Sequence, residues 1–258
     1  MDFKQKERYG FDDLLQIMKL LRAPDGCMWD REQDHHSIRR NFIEETYEAV
    51  EAIDNEDSDL LKEELGDVLL QVVFHAEIES EKGVFDIHDV ADGVCKKLIF
   101  RHPHIFGDTK VSSTGEILDN WDTLKKTEKH QQSAADTLDS VARSLPGLIR
   151  EDKLVSKAAK AGFDWDSVDG ALGKVHEELG ELEAAIREGT NTEEELGDLL
   201  FAAAGIARFV GCDPEAAIAK SSEKFISRFR RVEELAQGRP LGELALDEIV
   251  TLWNTAKQ

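Results

Sequence analysis

The sequence predicts an all-α protein made of two related helical halves, and three observations carry that prediction. Apolar residues recur at the three-and-four spacing of an amphipathic helix almost throughout, as at Leu14, Ile17, Met18 and Leu21, or at Leu154, Val155 and Ala158. The alternating Val, Ile and Thr pattern of a half-buried strand is hard to find, and only 5 prolines interrupt 258 residues. The third observation is internal: one series of short blocks is written twice.

The first copy reads Trp29-Asp30, then EETYE at Glu44 to Glu48, EELGD at Glu63 to Asp67, and KLIFR at Lys97 to Arg101. The second reads Trp165-Asp166, then EELGE at Glu177 to Glu181, EELGD at Glu194 to Asp198, and KFISR at Lys224 to Arg228. A single acidic block would mean little in so acidic a chain. Four blocks in matching order and spacing are an internal duplication. Between the copies, residues 107–132 are polar and begin with turn-forming residues, so they read as a linker that becomes helical around Trp121 to Lys129. Leu145-Pro146-Gly147 is a second boundary signal. The expected organisation is a first domain over 1–108, a partly helical linker over 109–140, and a second domain over 141–258.

The acids of the repeated blocks fall on the apolar side of their helices. With Glu195 set at zero on a helical wheel, Leu199, Ala202 and Ile206 lie within roughly 40° and Asp198 about 60° to one side. Glu64 stands the same way among Leu60, Leu61 and Val68, with Asp67 on its flank. Glu178 sits near Leu182 and Ala185, and Glu45 near Ile38 and Ala49, with Glu181 and Glu48 one turn further on. Gly189-Thr190-Asn191 followed by Thr192 to Glu195 reads as a turn and a capping box that restarts the helix, which folds the two acidic segments into a hairpin. Asp54 to Asp59 makes the corresponding turn in the first copy. Each hairpin then gathers four carboxylates: Glu178, Glu181, Glu195 and Asp198 in one, Glu45, Glu48, Glu64 and Asp67 in the other.

Carboxylates on a core-facing stripe need a cation or a hydrogen-bond donor, because burying them ionised and alone is very costly. Oxygen-only ligands select a hard cation, Mg2+ or Mn2+. Two plainer readings compete: a solvated acidic face, or ion pairing to Lys174, Lys224 and Arg228, which serve equally well as phosphate ligands. The duplication and the apolar setting weigh against the solvated face. Trp29 and Trp165 recur in register, either to stack on a base or as core aromatics; Phe225 and Phe229 read as core. The spacing Glu32-x-x-His35 is half of a di-iron motif without its second copy, and so reads as a cap or loop feature.

Composition narrows the partners. A formal net charge of -22 disfavours a nucleic-acid polymer, whose binding needs Lys and Arg to displace counterions. Cys27, Cys95 and Cys212 are widely separated, with no CxxC pair, so neither a zinc knuckle nor a disulfide framework is expected. The polar start of the chain and the absence of a run near the roughly 20 apolar residues of a spanning helix point to a cytoplasmic protein with no membrane partner. No phosphate-binding glycine loop or HExxH is present.

The EExxE block followed by ExxD, twice over, resembles the tandem-domain MazG family of nucleoside triphosphate pyrophosphohydrolases. LRAPDGCMWDREQDH at Leu21 to His35, FRHPHIFGD at Phe100 to Asp108 and KAAKAGFDW at Lys157 to Trp165 strengthen the likeness, which covers most of the chain. The resemblance implies four-helix-bundle-like modules, a homodimer and Mg2+ dependence. It implies conversion of an NTP or dNTP to the monophosphate and pyrophosphate, by water attack at the α-phosphorus. Carried over, it makes Glu178, Glu181, Glu195 and Asp198 the metal ligands of the main catalytic domain. Lys174, Lys224 and Arg228 would hold phosphates, and Trp253 would contact the nucleotide. In the first domain the matching residues are Glu45, Glu48, Glu64 and Asp67, with Lys97 and Arg101, but Asn41 replaces the lysine. Two rivals remain at this stage: a hydrolase restricted to pyrimidine or modified nucleotides, and a non-catalytic acidic scaffold for a basic partner.

Overall fold

The computed structural model describes residues 3–128 and 131–257, and among these every regular element is helical. The chain divides into two compact units, Met1–Leu124 and Lys125–Gln258.

In the first unit, α1 (Phe11–Arg22) and the short α2 (Met28–Glu32) precede a hairpin of α3 (Arg39–Asp54) and α4 (Ser58–Glu81). α5 (Ile87–Arg101), α6 (Pro103–Phe106) and α7 (Thr114–Glu128) follow, the division between units falling inside α7. The hairpin turn is fixed chemically: the Asp57 carboxylate accepts from Asp59 N and Leu60 N at 3.1 and 3.0 Å, supplying donors at the start of α4 with a partner. α1 packs on α4, and the core between them is Met18, Ile38, Val73, Phe74 and Ile78, with Leu14, Leu15, Leu70 and Ile87 against it. Sequence reading places the helix of the linker at Trp121 to Lys129. It begins earlier, at Thr114, and Lys129 lies outside the described residues.

The second unit holds α8 (Ala134–Asp139), α9 (Gly147–Lys160), the hairpin of α10 (Val168–Glu188) and α11 (Thr192–Val210), then α12 (Pro214–Leu235), a 3-10 turn (Leu241–Glu243) and α13 (Leu246–Ala256). Pro146 stands immediately before α9, where its missing N–H costs nothing. α9 packs on α11 and on α12, and α13 closes on α12. The fully buried residues of α10 and α11 are mostly alanines, Ala171, Ala185, Ala204 and Ala207. The expected capping box at Thr192 is not formed. Gly189 and Asn191 both take left-handed backbone conformations, φ 71° and 46°, and Ala185 O accepts from Gly189 N and Thr190 N. The turn is therefore closed by backbone groups. Glu195 is left free of the cap, and its carboxylate joins the acids of α10.

Among the described residues, no helix is long and apolar enough to cross a membrane.

Candidate active site

The hairpin of α10 and α11 sets Glu178, Glu181 and Glu195 side by side, with one carboxylate oxygen of each within 4.8 Å of the others. The hairpin of α3 and α4 does the same with Glu45, Glu48 and Glu64, within the same 4.8 Å. Both clusters arise because residues one turn apart on a helix share a face, and the antiparallel partner brings its own acid to that level. Asp67 and Asp198 stand outside these trios. Asp67 is still close enough for its charge to raise the pKa of Glu45 and of Glu64. Asp198 lines a cavity together with Lys174 and Glu178. A hairpin covers only one side of each helix, so Glu48, Glu181 and Asp198 are exposed and Glu45, Glu64 and Glu195 half-buried, while Glu178 is 5% exposed.

The electrostatics follow from partial desolvation of the acids and from their closeness to one another. Glu45 is pushed above the usual carboxylate range by desolvation, then by Asp67 and Glu48. Glu64 is raised by desolvation, then by Glu48 and Asp67. Glu181 is raised chiefly by a hydrogen bond with Glu178, which favours a shared proton, and next by desolvation. Each of these groups would be ionised more easily beside a cation. Glu178 makes the need specific. Its Oε1 is 2.6 Å from Lys174 Nζ, while its Oε2 is buried with no hydrogen-bond partner. A carboxylate oxygen buried without a partner is costly. A divalent cation held by Glu178, Glu181 and Glu195 supplies what that oxygen lacks, so the donor set fits a hard metal ion.

Lys174 lies on the cluster, with Glu177 Oε1 at 2.8 Å as well as Glu178, and both carboxylates hold its ammonium well above the ordinary lysine range. Lys224 and Arg228 sit on α12, which packs against α9 and α13, and neither makes an ion pair among the described residues. Trp253 of α13 packs on Phe225, with ring centroids 5.2 Å apart, and Phe225 stacks on Phe229 at 6.1 Å. Phe225 and Phe229 are not core residues as their spacing suggests; they are 55% and 41% exposed, because α12 is covered along only part of its surface. Trp29 and Trp165 likewise remain more than half exposed. In the first unit, Lys97 is exposed and Arg101 is buried, with its guanidinium 5.1 Å from the centre of the Trp121 ring.

Two features escape reading by motif. His35, in the loop before α3, lies 2.7 Å from His75 Nδ1 and 2.6 Å from Glu79 Oε1, tying that loop to α4. The second is the cavity beside Glu178, of about 600 Å³, lined by α9, α10, α11, the turn between α9 and α10, and Leu138 of α8. Setting the two EELGD blocks on each other would have pointed to it: Gln71 then falls on Ala202 and Phe74 on Gly205.

Fold and site together define an all-helical protein with a duplicated carboxylate centre of the kind that holds a divalent cation. The MazG nucleotide pyrophosphohydrolase domain matches at residues 33–106 and again at 168–232. A nucleoside triphosphate pyrophosphohydrolase/pyrophosphatase MazG of Thermotoga maritima is 43% identical over 249 residues, spanning 96% of this chain and 95% of that protein. A nucleoside triphosphate pyrophosphohydrolase of Escherichia coli K12 is 41% identical over 254 residues, 96% of this chain and 97% of that protein. One of Mycolicibacterium smegmatis is 32% identical over 247 residues, covering 95% of this chain and 70% of its own length. The chain belongs to the MazG nucleotide pyrophosphohydrolase family.

Proposed function

We propose that this chain is a nucleoside triphosphate pyrophosphohydrolase whose working centre is the carboxylate cluster of α10 and α11. The reaction adds water to the α-phosphorus of an NTP or dNTP. A new P–O bond forms there, the bond from the α-phosphorus to the bridging oxygen breaks, and nucleoside monophosphate and pyrophosphate separate. Glu178, Glu181, Glu195 and Asp198 hold Mg2+, for which Mn2+ substitutes; Glu45, Glu48, Glu64 and Asp67 form a matching metal site. When bound, the cation offsets phosphate charge and acidifies the attacking water. Lys174 meets the phosphates at the cluster, Lys224 and Arg228 hold them from α12, and Trp253 contacts the nucleoside.

The single observation that carries this reading is Glu178: buried, bound to Lys174 through one oxygen, and without a partner on the other. The domain plan of 1–108, a linker over 109–140 and 141–258 belongs to the same proposal, as does a cytoplasmic setting. So does homodimerisation, supported by large apolar residues left open on the hairpins, such as Val50, Ile53, Leu196 and Leu200. Incubating the purified chain with Mg2+ and a mixed NTP pool tests the reaction: pyrophosphate and NMP are expected. Orthophosphate with NDP, or no product, overturns it.

A further inference from the structure

We propose that His35, His75 and Glu79 form a pH-sensitive clasp, which holds the loop before α3 against α4 at neutral pH and releases it when both imidazoles are protonated. None of the three belongs to the carboxylate clusters, and the clasp does not depend on the hydrolase reading.

His35 stands between two partners. Its Nε2 is 2.6 Å from Glu79 Oε1, and its Nδ1 is 2.7 Å from His75 Nδ1. The two nitrogens thus face different groups, so the three side chains do not converge on one point as metal ligands would. An ionised Glu79 can only accept, so His35 Nε2 carries a hydrogen. Between the two Nδ1 atoms there is room for one hydrogen, donated by either ring. With both rings protonated, two N–H groups meet head to head. The rings are stacked, centroids 5.0 Å apart and planes 14° from parallel, so two cations would also lie face to face. Attraction then becomes repulsion.

The surrounding charges leave His75 without an anion of its own. Glu79 is already shared with Lys82 Nζ at 2.7 Å, and Arg22 of α1 takes up Glu81 while bonding the carbonyl of Gln33. In the loop, Asp34, beside the exposed His36, accepts from the N–H groups of His36 and Ser37. Arg40 of α3 pairs with Glu44, and what α3 sets against His75 is the uncharged ring of Phe42, 5.5 Å away. Burial, and then the charge of His35, hold His75 below the ordinary imidazole value of 6.5. The opened loop therefore binds that proton more tightly than the closed one. The clasp contributes in full above the ordinary value and is lost as pH falls through it toward the lowered one.

The second half has no such device. Setting Glu45 on Glu178 and Glu64 on Glu195 puts Val168, Ile206 and Val210 where the first half has His35, His75 and Glu79. Three residues that cannot titrate stand in place of three that can. The clasped loop runs straight into α3, and Ile38 at its end is part of the core. Its release loosens the entry to the helix that carries Glu45 and Glu48.

Hydrogen exchange of the full chain without Mg2+, corrected for the intrinsic pH dependence of exchange, tests the clasp between about pH 7.5 and about pH 5.5, where histidines change charge. Opening of residues 33–38 should increase on acidification by up to about tenfold per pH unit, the limit for uptake of one proton. Residues 166–171 of the second half should show no such rise. His75→Phe keeps a ring beside His35 and Phe42 but cannot take a proton, so the pH dependence at 33–38 should vanish, whatever the level of protection. His35→Phe, at a loop position with 37% of its side chain exposed, should do the same and serves if the first variant misfolds. A wild-type loop whose opening does not change with pH overturns the proposal. So does a pH response that persists in a folded variant, which would assign it to the carboxylates.

Discussion

The two halves of the chain share a blueprint and spend it differently. In the first, α4 fills its inner face with Gln71, Val73, Phe74 and Ile78, and α1 completes the core with Met18. In the second, the positions matching Gln71, Val73 and Phe74 are the smaller Ala202, Ala204 and Gly205, the position matching Ile78 is the larger Phe209, and space remains beside the acids. The basic groups diverge in the same sense. Lys174 sits on its carboxylates while Asn41 stands at the equivalent place, and Arg101 is packed over Trp121 while Arg228 makes no ion pair among the described residues. A packed core gains stability from every buried methylene, whereas a binding site must keep room and unsatisfied charge.

The largest effect that would test this contrast is on stability. Phe74→Ala removes a buried ring that also carries the Arg22 guanidinium 5.2 Å from its centre. It should destabilise the fold by about 3–5 kcal/mol in chemical denaturation. A loss under about 1 kcal/mol would mean that the first half is not the packed one. Next comes the chemistry. Glu195→Gln should lower turnover of NTP by about 100-fold, at least the loss seen when groups that merely support metal ligands are changed, and Glu64→Gln should leave most of it. The reverse pattern would move the working centre to the first half.

A smaller effect is expected from making the halves alike. Lys174→Asn introduces the first half's residue and removes a charged contact to phosphate, so kcat/KM should fall about tenfold. No change would assign Lys174 only to pairing with Glu177 and Glu178. The smallest effect is on pH. Glu45 and Glu64 have pKa values above the ordinary carboxylate range from desolvation and then neighbouring acids, and Glu181 from its hydrogen bond with Glu178 and then desolvation. Above those values the acids are ionised and Mg2+ affinity is level. As pH falls toward them, each proton must be displaced before the ion binds. Calorimetric titration of Mg2+ should therefore show affinity dropping by about threefold on going from neutral pH into this acid range. Affinity that rises on acidification would exclude the carboxylate clusters as the sites.

Much of the site was legible because a duplication repeats its signal. ExxE and ExxD place acids on one helical face wherever they occur, so Glu178 and Glu181 had to lie together, as did Glu45 and Glu48. Other residues were not legible. Phe225, Phe229 and Trp165 look like core by type and spacing, yet remain substantially exposed, because periodicity marks an apolar face without saying what covers it. His35 acquires its role from His75 and Glu79, about forty residues away along the chain, a pairing that no local pattern encodes.

What the sequence determined by itself is the helical architecture, its repetition, and the placing of acids one turn apart on the helices of two hairpins. These follow from propensities and spacings that act within a few turns. What only the tertiary structure decided is which acid is buried and unmatched, where Lys174 makes its bonds, and that a space stays open beside Glu178. Burial and empty volume depend on neighbours from other helices, so they exist only once the helices have packed.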